Sequence, residues 1–362
     1  MRDIRVSIAT IVILLICIGI VMIYSSSGIY ALQELKDNAY FLNRHLLFLC
    51  IGFVLMMLAM MMDYRELQKF AKPILLLAVV MLVLVLIPGI GKESFGARRW
   101  FKFGAFHFQP SEFAKLALLI YVADFLSRKQ NKIRSFWEGF FPLILVMGLT
   151  CALIIKQPDL GNSVSLAVII LILMFIAGAD VKHLIWIALL SLPVVYFLIV
   201  RVPYRLARIT SFLDPWQDSQ GVGFQLSQSQ IALGSGGMFG IGLGKSVQKL
   251  FYLPAAHTDF ILSIIGEELG LLGTLTVVAL FILFVIQGAR IAKRTTDMFG
   301  YFLALGIVLM IGLQAVVNIG VSIGALPTKG LPLPFISYGG SALIFYMTAV
   351  GLLLNISRTQ EI

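Results

Sequence analysis

Apolar stretches alternate with short polar segments along the whole chain. Most of these stretches approach the ~20 residues that a helix needs to cross the hydrocarbon core of a bilayer. The first has no small-residue cleavage site after it, so it is expected to remain as a helix. We predict an all-α, polytopic membrane protein that forms a single domain over residues 1–362, with ten transmembrane helices centred on residues 7–24, 46–62, 73–87, 112–125, 140–155, 164–176, 184–200, 260–287, 300–323 and 334–355.

The composition agrees with a membrane location. Hydrophobic residues make up 59% of the 362 residues and charged residues 13%, whereas soluble domains have about 45–50% and about 25%. A chain this apolar cannot bury its side chains in one water-soluble core, so lipid must be its solvent. The formal charge of +10 is explained by basic loops beside anionic lipid, and nucleic acid is not an expected partner. The cysteines and histidines are scattered, so neither disulfides nor a zinc site are expected.

The orientation rests on the basic loops. With the N-terminus placed in the cytoplasm, inside and outside segments carry nearly equal numbers of Lys and Arg, so the count alone does not orient the chain. Most of the outside cations fall in two loops, residues 91–111 and 201–259, which we interpret as functional exceptions. Both termini are therefore expected in the cytoplasm. The loop at 201–259 is the longest and is expected to pack on the extracytoplasmic face.

A glycine-rich segment, GSGGMFGIGLGKS, occupies residues 234–246 of this loop. Its end resembles a phosphate-binding loop, but Phe239 stands where such a loop requires its first glycine. Two other interpretations stay open. The segment is either a tightly packed turn, or its backbone N–H groups and Lys245 face an anionic ligand.

Three carboxylates lie at or inside the eighth apolar stretch. Asp259 stands where the stretch begins, so it is either an N-cap or a functional group at the membrane. Glu267 and Glu268 have no basic neighbour one turn away on their own helix, so they need partners from elsewhere or a water-filled cavity. Helical geometry directs Glu267 within about a quarter turn of Asp259, and the two can line one cleft.

The fourth stretch opens with Gln109, Pro110, Ser111 and Glu112, followed by Lys115. Ser111 is placed to cap the helix, and Glu112 and Lys115 can pair at i and i+3. This is either ordinary helix-start chemistry or a membrane-embedded ion pair that shapes a site.

Two further segments combine unusual residues. Arg98 lies among alternating basic and aromatic residues, a pattern typical of the membrane interface and also of a clamp for the diphosphate of a lipid-linked substrate. Residues 326–341, LPTKGLPLPFISYGGS, must be bent and non-helical. Such backbone is buried in protein or lines a cavity, and Lys329 is its only charged residue.

Together and in this order, these segments resemble the SEDS family of bacterial shape, elongation, division and sporulation proteins. The YLP before the TDF triplet, the GLGKS and the LPTKGLPLPFISYGGS favour the FtsW/SpoVE branch over RodA. The resemblance covers the whole chain, and its matching stretches are residues 96–115, 157–161, 212–244, 253–270 and 326–341.

The resemblance implies a peptidoglycan glycosyltransferase that polymerises lipid II on the outer face of the bacterial cytoplasmic membrane during division or septal wall synthesis. It implies a class B penicillin-binding protein and other divisome or elongasome membrane proteins as partners. Asp259 is the implied catalytic residue, and we assign it the role of general base. Ala255 departs from the family, whose members often carry Glu there. The candidate substrate-binding residues are Arg98, Gln109, Glu112, Lys115, Lys245, Glu267, Glu268, Lys329 and Ser337.

The leaving diphosphate needs positive charge, for which Arg98, Lys329 and a divalent cation (Mg or Mn) are the candidates; no metal-ligating residues are predicted. A lipid II flippase is the alternative function. It predicts inverted repeats and polar residues throughout the membrane depth, whereas this chain shows no repeat and gathers its unusual residues on one face. A non-catalytic scaffold would give no reason for Asp259, Glu267 and Lys329 to gather at span ends.

Overall fold

The computed structural model describes residues 1–94, 97–104, 106–218 and 221–359. Gly96, which opens the first stretch of the resemblance, lies outside them. The described helices are α1 (Arg2–Leu35), α2 (Tyr40–Met61), α3 (Tyr64–Leu84), α4 (Pro110–Arg128), α5 (Phe141–Lys156), α6 (Leu160–Ile176), α7 (Val181–Val200), α8 (Pro203–Leu213), α9 (Phe224–Ser235), α10 (Ile261–Arg294), α11 (Met298–Ser322) and α12 (Gly340–Thr359). The strands are β1 (Gly91–Ser94), β2 (Ala97–Phe103) and β3 (Phe106–Phe108).

Eight helical segments of the described chain are long and apolar enough to cross a bilayer. They are α1, α2, α3, α7, α10, α11, α12 and α5 with the π-helical turn Phe136–Phe140 before it. The protein is therefore a multi-pass membrane protein. The predicted stretches at 112–125 and 164–176 coincide with α4 and α6. Helix α4 carries several charged side chains and α6 is shorter, so neither is both long and apolar enough to be counted with the eight.

Aspartates fix where several of these helices begin. The side chains of Asp63, Asp159, Asp180 and Asp297 each accept a hydrogen bond from a backbone amide in the first turn of α3, α6, α7 and α11. These amides have no partner within their own helix, so an aspartate at the N-cap satisfies one of them. The polar residues between apolar stretches thus define the helix starts as well as the loops.

The expectation of an all-α fold was wrong in one place. Gly91–Ser94, Ala97–Phe103 and Phe106–Phe108 form a three-stranded antiparallel sheet in the order β1-β2-β3. Three of the seven residues of β2, ARRWFKF, are aromatic, and aromatic residues are enriched in strands. The sheet packs on α12 through Phe108, whose ring lies 5.9 Å from that of Phe345.

The start predicted for the last span was also wrong. Helix α12 begins at Gly340 rather than near residue 334. Ser337 closes a turn ahead of it: its amide donates to the Leu333 carbonyl over 3.0 Å, and its hydroxyl accepts from the Leu333 amide over 2.9 Å. Because the hydroxyl already closes this turn, the segment reaches α12 as bent backbone.

The loop at 201–259 contains two helices, α8 and α9. Helix α9 packs between α10 and the end of α11, since the Ser229 hydroxyl lies 2.6 Å from that of Ser263 and donates to the Ser322 carbonyl over 2.8 Å. The glycine-rich segment that follows is therefore part of the packed structure. Of its two open interpretations, the structure shows the tightly packed turn.

The glycine-rich segment, residues 234–246, supplies hydrogen bonds at a break in α10. Gly270 has φ 71° and ψ −165°, which interrupts the helical hydrogen bonds. Four backbone hydrogen bonds of 2.9–3.2 Å replace them. They run from the Ile241 and Gly242 amides to the carbonyls of residues 267 and 268, and from the amides of residues 271 and 272 to the carbonyls of residues 237 and 238. Backbone N–H and C=O groups at membrane depth need hydrogen-bond partners within the protein, because lipid supplies none.

Replacing Gly270 by alanine is expected to destabilise the protein by about 2–5 kcal/mol. Only glycine adopts this backbone conformation without strain, and an added Cβ would lie 2.3 Å from the Gly240 nitrogen. Thermal unfolding of the purified protein in detergent measures the effect. Gly234→Ala in α9 is the matched control, because its added Cβ has no heavy atom within 4 Å apart from its chain neighbours and the backbone of its own helix. Equal melting temperatures for the two variants would contradict the role of Gly270.

Candidate functional site

Asp259 is held by its main chain. Its amide donates to the Ala255 carbonyl over 3.1 Å, in a turn where Ala255 has φ 57°. Its carbonyl accepts from the Asn318 side chain over 2.8 Å, and the same amide group of Asn318 donates to the Leu331 carbonyl over 2.8 Å. Asn318 on α11 therefore fixes the turn that carries Asp259 relative to the segment before α12.

The carboxylate of Asp259 does not cap α10. The N-cap position is Phe260, without a side-chain hydrogen bond. Across the described residues, no donor lies within hydrogen-bonding distance of the carboxylate oxygens. Gly330 lies directly against them, since a Cβ built there would be 3.0 Å from Oδ2 of Asp259. The N-cap interpretation is excluded, and the half-buried carboxylate is left available for a ligand.

Burial raises the pKa of Asp259 to about 6, and the positive charge of Arg208 on α8 opposes this rise only in part. Losing hydration disfavours the charged form of a carboxyl group. The raised pKa makes Asp259 a stronger base than an exposed aspartate while leaving it ionised at neutral pH. This matches what a general base requires.

Lys329 lies beside Gly330 in sequence but forms no ion pair with Asp259 in the described structure. Burial lowers the pKa of Lys329, and Asp159 at the start of α6 opposes that shift. Its side chain runs past Gly161, whose built Cβ would lie 3.5 Å from the lysine Cδ. The lysine is therefore directed toward Asp159, and its ammonium group is separate from the Asp259 carboxylate.

The predicted pair of Glu112 and Lys115 forms at 2.8 Å, with both side chains almost fully buried. Lys115 also donates to the Asn162 side chain over 3.3 Å, and Asn162 donates to Asp159 over 2.8 Å. A polar network thus runs from α4 through α6 toward Lys329. Of the two interpretations left open for Glu112 and Lys115, the structure favours the embedded ion pair.

The start of α4 differs from the expectation. Gln109 is the N-cap and Pro110 the first helical residue, so Ser111 lies inside the first turn and is not the cap. The Gln109 amide donates to the Ser341 hydroxyl over 3.0 Å, and that hydroxyl donates to the His107 carbonyl over 3.0 Å. Gln109 therefore positions the sheet against α12 through its backbone.

Two basic residues of the sheet, Arg98 and Arg99, bind other groups of the protein. Arg98 forms a 2.9 Å ion pair with Glu93 across β1 and β2. Arg99 donates to the backbone carbonyls of Gln157 and Pro158. The proposed diphosphate clamp at Arg98 stays a prediction, and a ligand there would compete with the Glu93 carboxylate.

A cavity of about 670 Å³ opens next to the Asp259 turn, with Thr258 in its wall. Its charged residues are Glu34, Arg44 and Lys92. Clefts of this size hold small-molecule ligands, and aromatic faces pack well against the apolar faces of sugar rings. The rest of the lining is largely aromatic and includes Tyr30, Tyr40, Phe41, Phe48, Trp100 and Tyr338.

Glu267 and Glu268 face the loop that precedes α10. Glu267 accepts from the Ser246 hydroxyl and from the Val247 amide, the latter over 2.9 Å. Glu268 forms a 2.8 Å ion pair with Lys249, and both groups contact the Ser25 hydroxyl of α1.

Neither glutamate shares a described contact with Asp259, so the single cleft expected for Glu267 and Asp259 is not what the structure shows. Their predicted contact with substrate stays a prediction, as does that of Lys245, which is exposed, and of Ser337, which closes its turn.

Comparison with known proteins assigns the family. The FtsW/RodA/SpoVE family model, described as a cell cycle protein, matches residues 5–362. The chain belongs to this family. A Geobacter metallireducens protein named probable peptidoglycan glycosyltransferase FtsW is 47% identical over 347 residues, which cover 96% of this chain and 92% of that protein. Stage V sporulation protein E of Bacillus subtilis is 44% identical over 96% of this chain and 94% of its own length.

Solved structures agree with this FtsW/RodA/SpoVE assignment. A chain of a peptidoglycan synthase complex, described for its coordination of polymerization and crosslinking, superposes with a TM-score of 0.80 at 29% identity, covering 98% of this chain and 97% of that one. The rod shape determining protein RodA of Thermus thermophilus gives 0.73 at 28% identity, covering 98% and 96%. The resemblance to the SEDS family and to its FtsW/SpoVE branch is confirmed.

Sequence reasoning missed several residues of the polar networks near the candidate site. Asp159 and Asn162 lie in or beside residues 157–161, and Lys249 lies in the loop at 201–259, but the sequence alone predicts no role for them. Two features of the sequence could have revealed these residues. Asp159 and Asn162 are polar residues at the start of an apolar stretch, and Lys249 is a cation in the loop before the stretch that carries Glu267 and Glu268.

Side chains that commonly ligate metals are not clustered among the described residues. No group of three or more His, Cys, Asp or Glu side chains gathers among them in a way that could hold an ion. Asp259 is a single carboxylate, and Asp159 is engaged by Asn162. The divalent cation stays a prediction.

Lys249→Met is expected to destabilise the protein by about 3–5 kcal/mol, because it leaves the Glu268 charge buried without its partner. The double variant Lys249→Met/Glu268→Leu is expected to recover most of that loss, since it buries no unpaired charge. Unfolding in detergent measures both. Lys69→Met is the control, because Lys69 and Glu66 form an exposed pair whose loss matters little. A Lys249→Met protein as stable as the unmodified one would contradict the assignment.

Proposed function

We propose that this chain is a peptidoglycan glycosyltransferase that polymerises lipid II, with Asp259 as the general base. The observation that carries the proposal is an uncapped, half-buried carboxylate with a raised pKa beside a cavity of about 670 Å³. The relative from Geobacter, which carries this activity in its name, supports it.

The chemistry needs few groups. A sugar hydroxyl attacks the anomeric carbon of the lipid-diphosphate sugar, the new glycosidic bond forms with inversion, and the diphosphate leaves with the bonding electrons. Asp259 accepts the hydroxyl proton, a contribution of about 10²–10⁴ in rate. Negative charge grows on the diphosphate, and preorganised cations stabilise it. Lys329 and Arg98 are our candidates, and Arg208 joins them because its charge reaches Asp259.

We further propose ten membrane crossings, with α4 and α6 added to the eight apolar segments. Their charged and polar residues then lie inside the bundle, where an ion pair such as Glu112 with Lys115 is tolerated. Both termini are placed in the cytoplasm of a bacterial cell, and the Asp259 turn on the outer face of the membrane.

A class B penicillin-binding protein is the proposed partner, with other divisome or elongasome membrane proteins around the pair. The support comes from the superposition on a chain of a peptidoglycan synthase complex in which polymerization and crosslinking are coordinated. A crosslinking enzyme acts on the polymerised glycan, so both must be on the same face of the membrane. The proposed position of the Asp259 turn on the outer face meets this requirement.

Asp259→Asn is expected to abolish polymerisation while the protein stays folded, because the amide cannot accept the hydroxyl proton. Purified protein, with and without a cognate penicillin-binding protein, is given labelled lipid II and scored for glycan polymer. Asp37→Asn is the control, since Asp37 is exposed and caps its own turn. Glycan synthesis by Asp259→Asn would reject the general base. Transbilayer movement of lipid II in liposomes without polymer would favour a flippase.

The pH dependence of polymerisation should report Asp259. Its pKa lies at about 6, so the carboxylate is ionised above that pH and protonated below it. The rate at low substrate concentration is expected to fall about tenfold per pH unit below pH 6 and to level off above it. A rate that stays constant down to pH 4.5 would contradict a base with this pKa.

A further inference from the structure

Helix α9 and the glycine-rich segment form a re-entrant hairpin. Ser229 contacts Ser263 near the start of α10, and Gly236 lies against Gly266 further along that helix, where a built Cβ would meet the Gly266 carbonyl. From Ser229 to Gly236 the chain therefore lies alongside α10 and runs parallel to it. It then turns back through residues 241–253 to reach Asp259.

The apex of this hairpin presents two large apolar side chains, Met238 and Phe239. The Gly240 amide donates to the Gly236 carbonyl over 2.8 Å and closes a tight turn around them. Phe239 is 80% exposed and Met238 56%. The turn is anchored to α10 by its backbone, so both side chains are held outward by a fixed frame.

The depth of this apex follows from α10. Between Gly270 and Arg290 the helix carries no charge, and this stretch is about 28 Å long at about 1.5 Å per residue. That length matches a hydrocarbon core of about 30 Å. With Arg290 at the opposite boundary, Gly270 lies at the edge of the core on the Asp259 side.

Helix α1 gives the same level independently. Its apolar stretch from Val6 to Tyr24 is also about 28 Å long and ends at three consecutive serines, residues 25–27. The first of them, Ser25, donates to Glu268, close to the break in α10. The apex contacts α10 at this level, because the Met238 carbonyl accepts from the Leu272 amide. Leu271 and Leu272 are themselves exposed, so the apex continues the apolar surface of α10.

We propose that Met238 and Phe239 insert into the lipid hydrocarbon of the leaflet on the Asp259 side. The carbonyls of Gly237 and Met238 and the amides of Ile241 and Gly242 are hydrogen-bonded to α10. The backbone that carries the two side chains is therefore packed against protein, while the side chains themselves extend outward. Large apolar side chains held outward at a membrane boundary gain by entering it. The proposal does not depend on the enzymatic function.

Spin labels test the insertion. Cys17, Cys50 and Cys151 are replaced by alanine, and a nitroxide is attached at Phe239→Cys in protein reconstituted into phosphatidylethanolamine and phosphatidylglycerol liposomes. Power saturation compares relaxation by oxygen, which concentrates in lipid, with relaxation by a water-soluble nickel chelate. Labels at Leu275→Cys on the exposed face of α10 and at Gln217→Cys in the exposed loop are the lipid and water references.

Position 239 is expected to match Leu275, with oxygen several-fold more effective than nickel. A label at 239 that behaves like Gln217 would overturn the proposal. A label open to nickel in the protein alone, and shielded from both reagents only after a penicillin-binding protein is added, would also overturn it in favour of a protein-covered site. Met238→Cys repeats the measurement with Phe239 intact, so a folding defect of one variant does not decide the result.

Discussion

The membrane cannot hydrogen-bond a polypeptide backbone, and this constraint governs the region around the start of α10. Gly270 interrupts the helix and leaves carbonyl groups that need donors. The amides of Ile241 and Gly242 supply them, so the longest loop of the protein is fastened to the helix that follows it. Asp259 stands between the two. The contacts that repair the helix therefore also determine where the Asp259 turn lies.

At the candidate site, the negative charge of Asp259 and the positive charge of Lys329 are kept apart. Asn318 secures Asp259 through the backbone carbonyl of Asp259, and none of the described residues donates a hydrogen bond to its carboxylate. Lys329, close in space through Gly330, is directed toward Asp159 instead. A direct pair of Asp259 with Lys329 would lower the carboxyl pKa and weaken the base. Among the described residues, the separation leaves the Asp259 carboxylate without a cationic partner that would lower its pKa directly.

The sequence predicted features that depend on near neighbours. The apolar stretches and the pairing of Glu112 with Lys115 follow from helical periodicity, which is local. The partner of Glu268 could not be found this way, because Lys249 lies 19 residues away in a loop whose course depends on the break in α10. The same reason applies to Asp259: deciding whether it caps α10 requires knowing that the helix begins after Phe260, and a shift of one or two residues changes the answer.

The even distribution of basic residues between the two sides also has a structural explanation. The rule that places basic loops in the cytoplasm concerns cations that face water and lipid headgroups. On the side of Asp259, Lys249 is buried against Glu268, and Arg99 is bound to backbone carbonyls. These side chains hold the loop and the sheet in place rather than the chain in the membrane. On the opposite side, Lys69 and Lys132 are exposed even though each has an acidic partner. Counting only exposed cations therefore favours the orientation that places Asp259 outside.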